Sequence, residues 1–329
     1  MNQTAKLTFA LSALVLSLSA SAYADNIVIG YQTGVDPSKV PQAAGTYQKE
    51  IGQPLEWRRF DSGPGVVAAL VSGAIQIGDL GSSPFAAAAS RGAPLVAFLV
   101  ADQIQSSEAL VVRNGSGIKS YADLKGKTIA TPFVSTSHFS LLGALQHWGI
   151  SEKQVNIVNL QPLEIAAAWK RGDIDGAFVW SPALSEIKKS GTVLTDAAQV
   201  GQWGHPTFEV WVARKDFAEK HPEVLKKFAA VSLASFDDYR QHPEKWSAGS
   251  ANAAATARLV GVNAADVPAL ISGNRYPDAS EQVSPEFLGG GTAKATADTA
   301  KFLYQQKRIQ GVLPDYSSYV SSQYIPASH

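Results

Sequence analysis

The sequence predicts an α/β protein of two lobes joined by a double hinge, and three observations carry that expectation. Short β-branched runs alternate with helically spaced segments along most of the chain, the pattern of strands covered by helices. The alternation restarts as a second unit after residue 114. The two crossings that flank this unit, near residues 107–114 and 206–214, read as extended strands rather than Gly-, Pro- or Ser-rich linkers. Two strand crossings that insert one α/β lobe into another make a hinge that closes around a ligand.

Taken in order, residues 26–30 (NIVIG) read as the first strand and 37–52 as a helix stopped by Gly52. A strand at 55–60 precedes a helix over 65–72 that Gly73 ends. The strand 75–80 runs straight into Ser82-Ser83-Pro84 and the Ala-rich helix 85–90, and strands follow at 95–101 and 108–113. The second unit has a helical step at 120–124, a strand at 127–131, a helix at 138–148 and a strand at 155–160. A helix at 162–170, a strand at 174–179 and a helix from Ser181-Pro182 to Ser190 continue it, and extended runs at 192–195 and 208–213 close it. Beyond Asp216 the pattern is mostly helical: 217–220, 222–240, 243–258, 264–272 and 291–306. The expected division is a signal at 1–24, lobe 1 from 25–110 and 212–329, and lobe 2 from 111–211.

The N-terminus points to export. Lys6 precedes an apolar stretch of about 12 residues that ends in Ala22-Tyr23-Ala24, the small-residue pattern of a cleavage site. The stretch is too short and too rich in Ser and Ala for a membrane anchor. The chain has no cysteine, which excludes disulfides, a thiol nucleophile, Cys-based metal sites and a lipid anchor on an N-terminal cysteine. A bacterial periplasm, reached by a cleavable signal and without a lipid anchor, is the expected location.

Charge narrows the partners. Of 28 basic and 28 acidic residues, only Lys6 falls within the signal, so the exported chain is close to neutral. It lacks the basic face of a nucleic-acid binder and the polybasic grip of a membrane-surface protein. A small molecule or a protein is the expected partner, and the chain is expected to be a monomer.

Ligands of open α/β sheets collect at carboxyl ends of strands, where helix N-termini present free N–H groups. Two stretches fit: Gly81-Ser82-Ser83-Pro84, and Ser135-Thr136-Ser137 ahead of the helix at 138. Each offers hydroxyls and the positive end of a helix dipole, although plain N-capping uses the same residue types. Neither loop carries Arg or Lys, which suits a carboxylate or sulfonate better than a phosphate dianion. Glu108 and Glu209 lie in apolar strand-like runs, where an unpaired acid is costly. A ligand ammonium would pair them; the alternative is a solvent-facing position. Trp180 ends a strand at GAFVWSP, and Trp203 and Trp211 flank Glu209; each is a cleft wall or a core residue.

Catalysis has little support. Ser135 or Ser137 beside His138 lacks a third, orienting group. There is no G-x-S-x-G elbow, P-loop or Rossmann glycine pattern, and the histidines show no metal spacing. No catalytic residue, metal or cofactor is expected.

Long segments on both lobes carry a family resemblance: WRRFDSGPGVVAAL, IQIGDLGSSPFAAAA, SEALVV, TPFVSTSHFSLLGALQHWGI, AAWKRGDIDGAFVWSPAL and VGQWGHPTFEVWVARKDFAEKHPEV. The chain resembles the periplasmic taurine-binding proteins of bacterial sulfonate ABC importers over essentially its whole exported length, more weakly after residue 240. The resemblance implies a two-lobed type II periplasmic-binding-protein fold. It also implies capture of taurine, a small zwitterionic sulfonate, and delivery to an inner-membrane permease with a cytoplasmic ATPase. By matching motifs, Ser82, Ser83, Ser135, Thr136 and Ser137 would hold the sulfonate, and Glu108 and Glu209 would face the ammonium. Trp180 would form a wall and Gln32 a polar contact. One position departs: the resemblance implies Asp where this chain has Glu209, an extra methylene of roughly 30 Å³.

Overall fold

The structure is a computed structural model that describes residues 26–327; the expected export signal at 1–24 lies outside them. Its strands are β1 (Ile27–Tyr31), β2 (Leu55–Arg59), β3 (Ile77–Gly81), β4 (Leu95–Ile104), β5 (Glu108–Arg113) and β6 (Thr128–Thr131). They continue as β7 (Asn156–Asn159), β8 (Gly176–Trp180), β9 (Gly191–Asp196), β10 (Thr207–Arg214) and β11 (Asn274–Arg275). They form two separate sheets, in the orders β11-β4-β10-β3-β1-β2 and β7-β6-β8-β5-β9. In each sheet the β-helix-β units pair in parallel (β2-β1-β3 and β7-β6-β8), while the strand from a crossing enters antiparallel. This is the two-lobed α/β architecture expected from the alternation of strands and helices.

Sheet membership places the changeovers between β4 and β5 and between β9 and β10. All of β5, from Glu108, pairs inside the second sheet, and all of β10, from Thr207, pairs inside the first. The divisions read from sequence at 110/111 and 211/212 therefore fall within β5 and β10. Both crossings run through strands, and the side chains near their starts meet between the lobes.

Several predicted helices are divided. The segment 37–52 forms Lys39–Ala43 and Thr46–Ile51, separated at Gly45, whose φ of 70° is left-handed. The segment 243–258 becomes a 3₁₀ turn, Pro243–Trp246, and a helix, Ala251–Val260, capped by Ser250. The short helix Ala197–Gln202, capped by Asp196, and the two-residue β11 were not anticipated. The helix Ser82–Ser90 is buried from Ser82 through Ala89, because it packs against the helices Gly63–Ser72, Thr136–His147 and Gly291–Gln305. An all-round apolar helix can only be stable in such a place.

The main core surrounds the first sheet, and two smaller clusters cover the two faces of the second. The main cluster also takes in Phe139 and Leu142 from the second lobe. Phe139 meets Phe302 edge-on at 4.8 Å between ring centroids. The Thr33 hydroxyl donates to the Ser181 carbonyl at 3.2 Å, and Arg308 pairs with Glu152. The lobes are thus in contact on both sides of the cleft.

His138, which lies in the first turn of the helix Thr136–His147, is fully buried. Its Nδ1 accepts from the Val134 amide at 3.1 Å, and its ring stacks on Phe133 at 4.6 Å. Burial, helped by the Arg308 charge, pushes its pKa down to about 3. The folded state refuses a proton that the unfolded chain takes up near 6.5, so stability present above that pH is lost as pH falls toward 3. Between pH 7.5 and 5 the wild type should lose about 2 kcal/mol more than His138→Gln. Urea unfolding of both proteins at the two pH values checks this, and equal losses would remove His138 as the cause.

Candidate functional site

A cavity of about 60 Å³ lies between the lobes, room for roughly four to six water-sized groups. Its first-lobe wall is built from the ends of adjacent strands. Asp79 and Gly81 come from β3, Ala101, Asp102 and Ile104 from β4, and Glu209 and Trp211 from β10. Within the sheet, Glu209 stands directly opposite Gly81 on one side and Asp102 on the other. The second-lobe wall is Glu108 at the start of β5, Ser135 and Thr136 at a helix N-terminus, and Trp180 and Ser181 at the end of β8.

Five carboxyl groups line this space: Asp36, Asp79, Asp102, Glu108 and Glu209. One buried cation stands behind them. Lys39 Nζ lies 3.1 Å from Asp36 Oδ2 and 3.8 Å from Asp79 Oδ2. The closer contact is an ion pair without hydrogen-bond alignment. Burial pulls the Lys39 pKa down, but the charges of Asp36 and Asp79 outweigh it, and the pKa lies above the ordinary lysine value. Gln32 fixes Asp79 by donating from Nε2 to Oδ1 at 3.0 Å and to the Asp79 carbonyl at 3.2 Å. Asn274 donates to Asp102 Oδ2 at 3.0 Å.

The remaining carboxyl oxygens are short of partners. Asp102 Oδ1, Glu108 Oε2 and Glu209 Oε2 are buried with no hydrogen bond among the described residues. Burial, reinforced by the neighbouring acids, pushes Asp102 and Glu209 well above the usual carboxylate range. Burial pushes Glu108 up to about 7, although the Thr136 hydroxyl acts to lower it. Thr136 Oγ1 donates to Glu108 Oε1 at 2.5 Å.

The sequence candidates separate into two layers. Gln32, Glu108, Ser135, Thr136, Trp180 and Glu209 face the cavity. Ser82, Ser83 and Ser137 are fully buried behind its wall. Ser82 Oγ accepts from the Phe208 amide at 3.4 Å, and the Ser83 and Ser137 hydroxyls have no partner among the described residues. Ser135 does cap its helix, accepting from the His138 amide at 3.1 Å and donating to the Pro132 carbonyl at 2.6 Å. The helix Ser82–Ser90 has Gly81 as its N-cap, without a side-chain cap, so its first N–H groups stay available beside the cavity. Of the two tryptophans flanking Glu209, Trp211 lines the cavity, whereas Trp203 stacks on His147 at 4.0 Å.

Sequence reasoning missed Asp36, Lys39, Asp79 and Asp102. The test applied to Glu209, an acid in an apolar run, would have found Asp79 in IQIGDLG and Asp102 in AFLVADQI. Lys39 left a weaker trace, an Asp three residues before it. Among the described residues no group of three or more His, Cys, Asp or Glu is arranged to hold a metal ion.

Fold and cleft define a two-lobed binding protein: carboxyl groups, a helix N-terminus and an indole from each lobe line one cavity between them. The chain belongs to the NMT1/THI5-like family, whose pattern matches residues 61–246. It is 50% identical to the taurine-binding periplasmic protein of Escherichia coli K12, over 96% of this chain and 97% of that one. A putative aliphatic sulfonates-binding protein of the same organism is 29% identical over 67% of this chain and 69% of its own. The alkanesulfonate-binding protein SsuA from Xanthomonas axonopodis pv. citri, solved with MOPS, shares the fold. Its TM-score is 0.72 at 21% identity, with 88% of this chain and 96% of that chain covered. The fold is that of the periplasmic binding proteins.

Glu108 gives the site a signature in stability. Its folded pKa of about 7 lies above the ordinary glutamate value of 4.5. Its ionisation therefore destabilises the fold at high pH, and that loss is recovered as pH falls through 7. Moving from pH 8 to pH 5 should favour the wild type over Glu108→Gln by about 2 kcal/mol. Urea-unfolding free energies of the two proteins at both pH values measure it, and a pH-independent difference would contradict the assignment.

Proposed function

We propose that this chain is a periplasmic solute-binding protein that captures taurine between its lobes and delivers it to an ABC importer. The observation that carries the reading is one small cavity lined by carboxyl groups and by a helix N-terminus from each lobe. A short zwitterion matches both kinds of group. The ammonium pairs with Glu209, Glu108 and Asp102, and the sulfonate accepts from the N–H groups at Gly81–Ser83 and Thr136–Ser137 and from the hydroxyls there. Trp180 and Trp211 cover the two-carbon linker. The likeness to the taurine-binding periplasmic protein over nearly the whole of both chains supports the same ligand.

In this reading Ser82, Ser83 and Ser137 act from behind the wall, through their amides or after small rotations of their buried hydroxyls. Gln32 acts through Asp79, which it holds in place. The signal expected at 1–24 and the likeness to a periplasmic binding protein support capture outside the cytoplasm. A permease and its ATPase then take the ligand from a monomeric carrier. The protein works as a carrier rather than an enzyme, like the relatives named as binding proteins.

Calorimetry tests the reading. Taurine should bind with a Kd near micromolar, about −8 kcal/mol, and be recovered unchanged. Glu209→Gln should weaken taurine about tenfold or more while altering ethanesulfonate, which has no ammonium, far less. Equal losses for both ligands would make Glu209 a structural residue. A protein that binds ethanesulfonate as well as taurine would be a general alkanesulfonate carrier.

Closure gives a second test. A Cβ added at Gly81 would lie 2.6 Å from Thr136 Cγ2 and 3.3 Å from Glu209 Oε1. Gly81 has φ of −66°, so a larger residue strains no backbone there and acts through its contacts, first with Thr136 across the cleft and second with Glu209 on the neighbouring strand. Gly81→Val should reduce taurine affinity at least tenfold with thermal stability nearly unchanged. Unaltered affinity would show that this contact does not form in the bound state.

A further inference from the structure

We propose that the carboxyl groups of Asp79, Glu209 and Asp102 together hold an exchangeable proton in the ligand-free cleft, and that the ligand's ammonium displaces it on binding. This rests on the zwitterionic ligand proposed above and adds a proton balance to it.

The geometry comes first. The three acids sit on β3, β10 and β4, three neighbouring strands of one sheet, and all face the cavity. Glu209 is directly opposite Asp102 in the register, and diagonal to Asp79 across its other neighbour, where its own partner is Gly81. Like charges opposed across a ladder are destabilising even when exposed. Here the strands fix the spacing, so the acids cannot separate.

Counter-charge is short. Lys39 lies 3.1 Å from Asp36 and 3.8 Å from Asp79, and its charge is shared between those two. Among the described residues nothing cationic contacts Glu209 or Asp102, and Asp102 accepts from the neutral Asn274 amide. The other titratable groups around the cluster add no positive charge. Glu108 faces it from β5, Tyr31 lies under Lys39, and Tyr276, buried after β11, donates to backbone carbonyls of Val35 and Ile271. Asp102 Oδ1 and Glu209 Oε2 are buried without partners, and Asp102 is only 4% exposed. Among the described residues no metal-holding cluster exists to supply the charge. A proton is the remaining cation that fits so closed a space. The upward pKa displacement of Asp79, Asp102 and Glu209, led in each case by burial, agrees with this.

The exchange balances simply. One carboxyl O–H bond breaks, its proton passes to solvent buffer, and the ligand's ammonium takes its place beside the carboxylate. An ammonium and a sulfonate both keep their charges across neutral pH, so any proton released comes from the protein.

Two measurements decide the matter. Calorimetric titration of taurine at pH 7 in phosphate and in Tris gives the number of protons exchanged from the difference in apparent enthalpy. Release of about one proton is expected, reduced in Asp102→Asn, with taurine affinity rising as much as tenfold per pH unit over the range where the proton is held. Taurine binding with no buffer dependence overturns the proton exchange and leaves the carrier function standing. Failure of taurine to bind counts against the function instead. The ligand-free protein then answers separately through ¹³C NMR titration of its Asp and Glu carboxyls. With Glu108 replaced by Gln, at least one should still titrate above about pH 7, away from the ordinary carboxylate range near 4. Loss of that titration in Glu209→Gln or Asp102→Asn would tie it to the cluster. Carboxyls that all titrate below about pH 7 in that variant would overturn the proposal.

Discussion

Five carboxyl groups around one small cavity, with a single buried lysine behind them, is the constraint on which the rest of the cleft depends. Such a grouping is unfavourable in a folded protein unless something positive enters it. The fold tolerates it because four of the five sit on strands, where the backbone is already hydrogen-bonded and cannot rearrange. Gln32 and Asn274 satisfy part of the carboxyl oxygens, and Lys39 neutralises part of the charge. The unsatisfied remainder is directed into the cavity. Free energy lost in folding these groups is regained when a cation arrives, so the strain and the binding capacity have the same origin.

The crossings explain how the lobes share this constraint. β5 leaves the first lobe and begins with Glu108, while β10 returns to it and carries Glu209 as its third residue. The two acids nearest the hinge therefore belong to different sheets. Closure of the lobes would change their separation. Thr136 binds Glu108 within the second lobe, and its methyl group abuts Gly81 on the first. A single threonine thus positions one acid and limits how far the lobes can close. Glycine at 81 is required by that close approach rather than by its backbone angle.

Much of this was legible in the sequence. The alternation of strands and helices gave both α/β units, and the motifs around Ser82 and Ser135 located both helix N-termini at the cleft. The strand-end position of Trp180, and the incongruity of an acid in an apolar strand at Glu108 and Glu209, pointed to residues that line the cavity. Lys39 was hidden because a lysine in a helical run normally faces water, and only the tertiary fold surrounds it with Asp36 and Asp79. The layering of the serines was also invisible. Whether a hydroxyl at a helix start faces the ligand or the core depends on the angle at which the helix meets its sheet. Spacing along the chain does not contain that angle. The division of the helix near Gly45 depended on a left-handed glycine that local periodicity treats as one more residue.

Under the proposed function, selectivity follows from the same arrangement. Helix N-termini and hydroxyls attract any sulfonate, so they cannot separate taurine from an alkanesulfonate of similar length. The acidic wall can. A ligand that brings a sulfonate but no ammonium places a second negative group close to carboxyls that remain unpaired, and each unpaired buried charge counts against it. Discrimination then arises more from rejection of the uncharged tail than from tighter contact with the charged one. The glutamate at 209 extends this wall one methylene farther into the cavity than an aspartate would, and brings its carboxyl within reach of Gly81. A shorter side chain would withdraw that charge toward the sheet and change its repulsion with Asp79 and Asp102. The length of residue 209 therefore sets two properties together: how strongly an ammonium is demanded, and how much the empty cleft costs the fold.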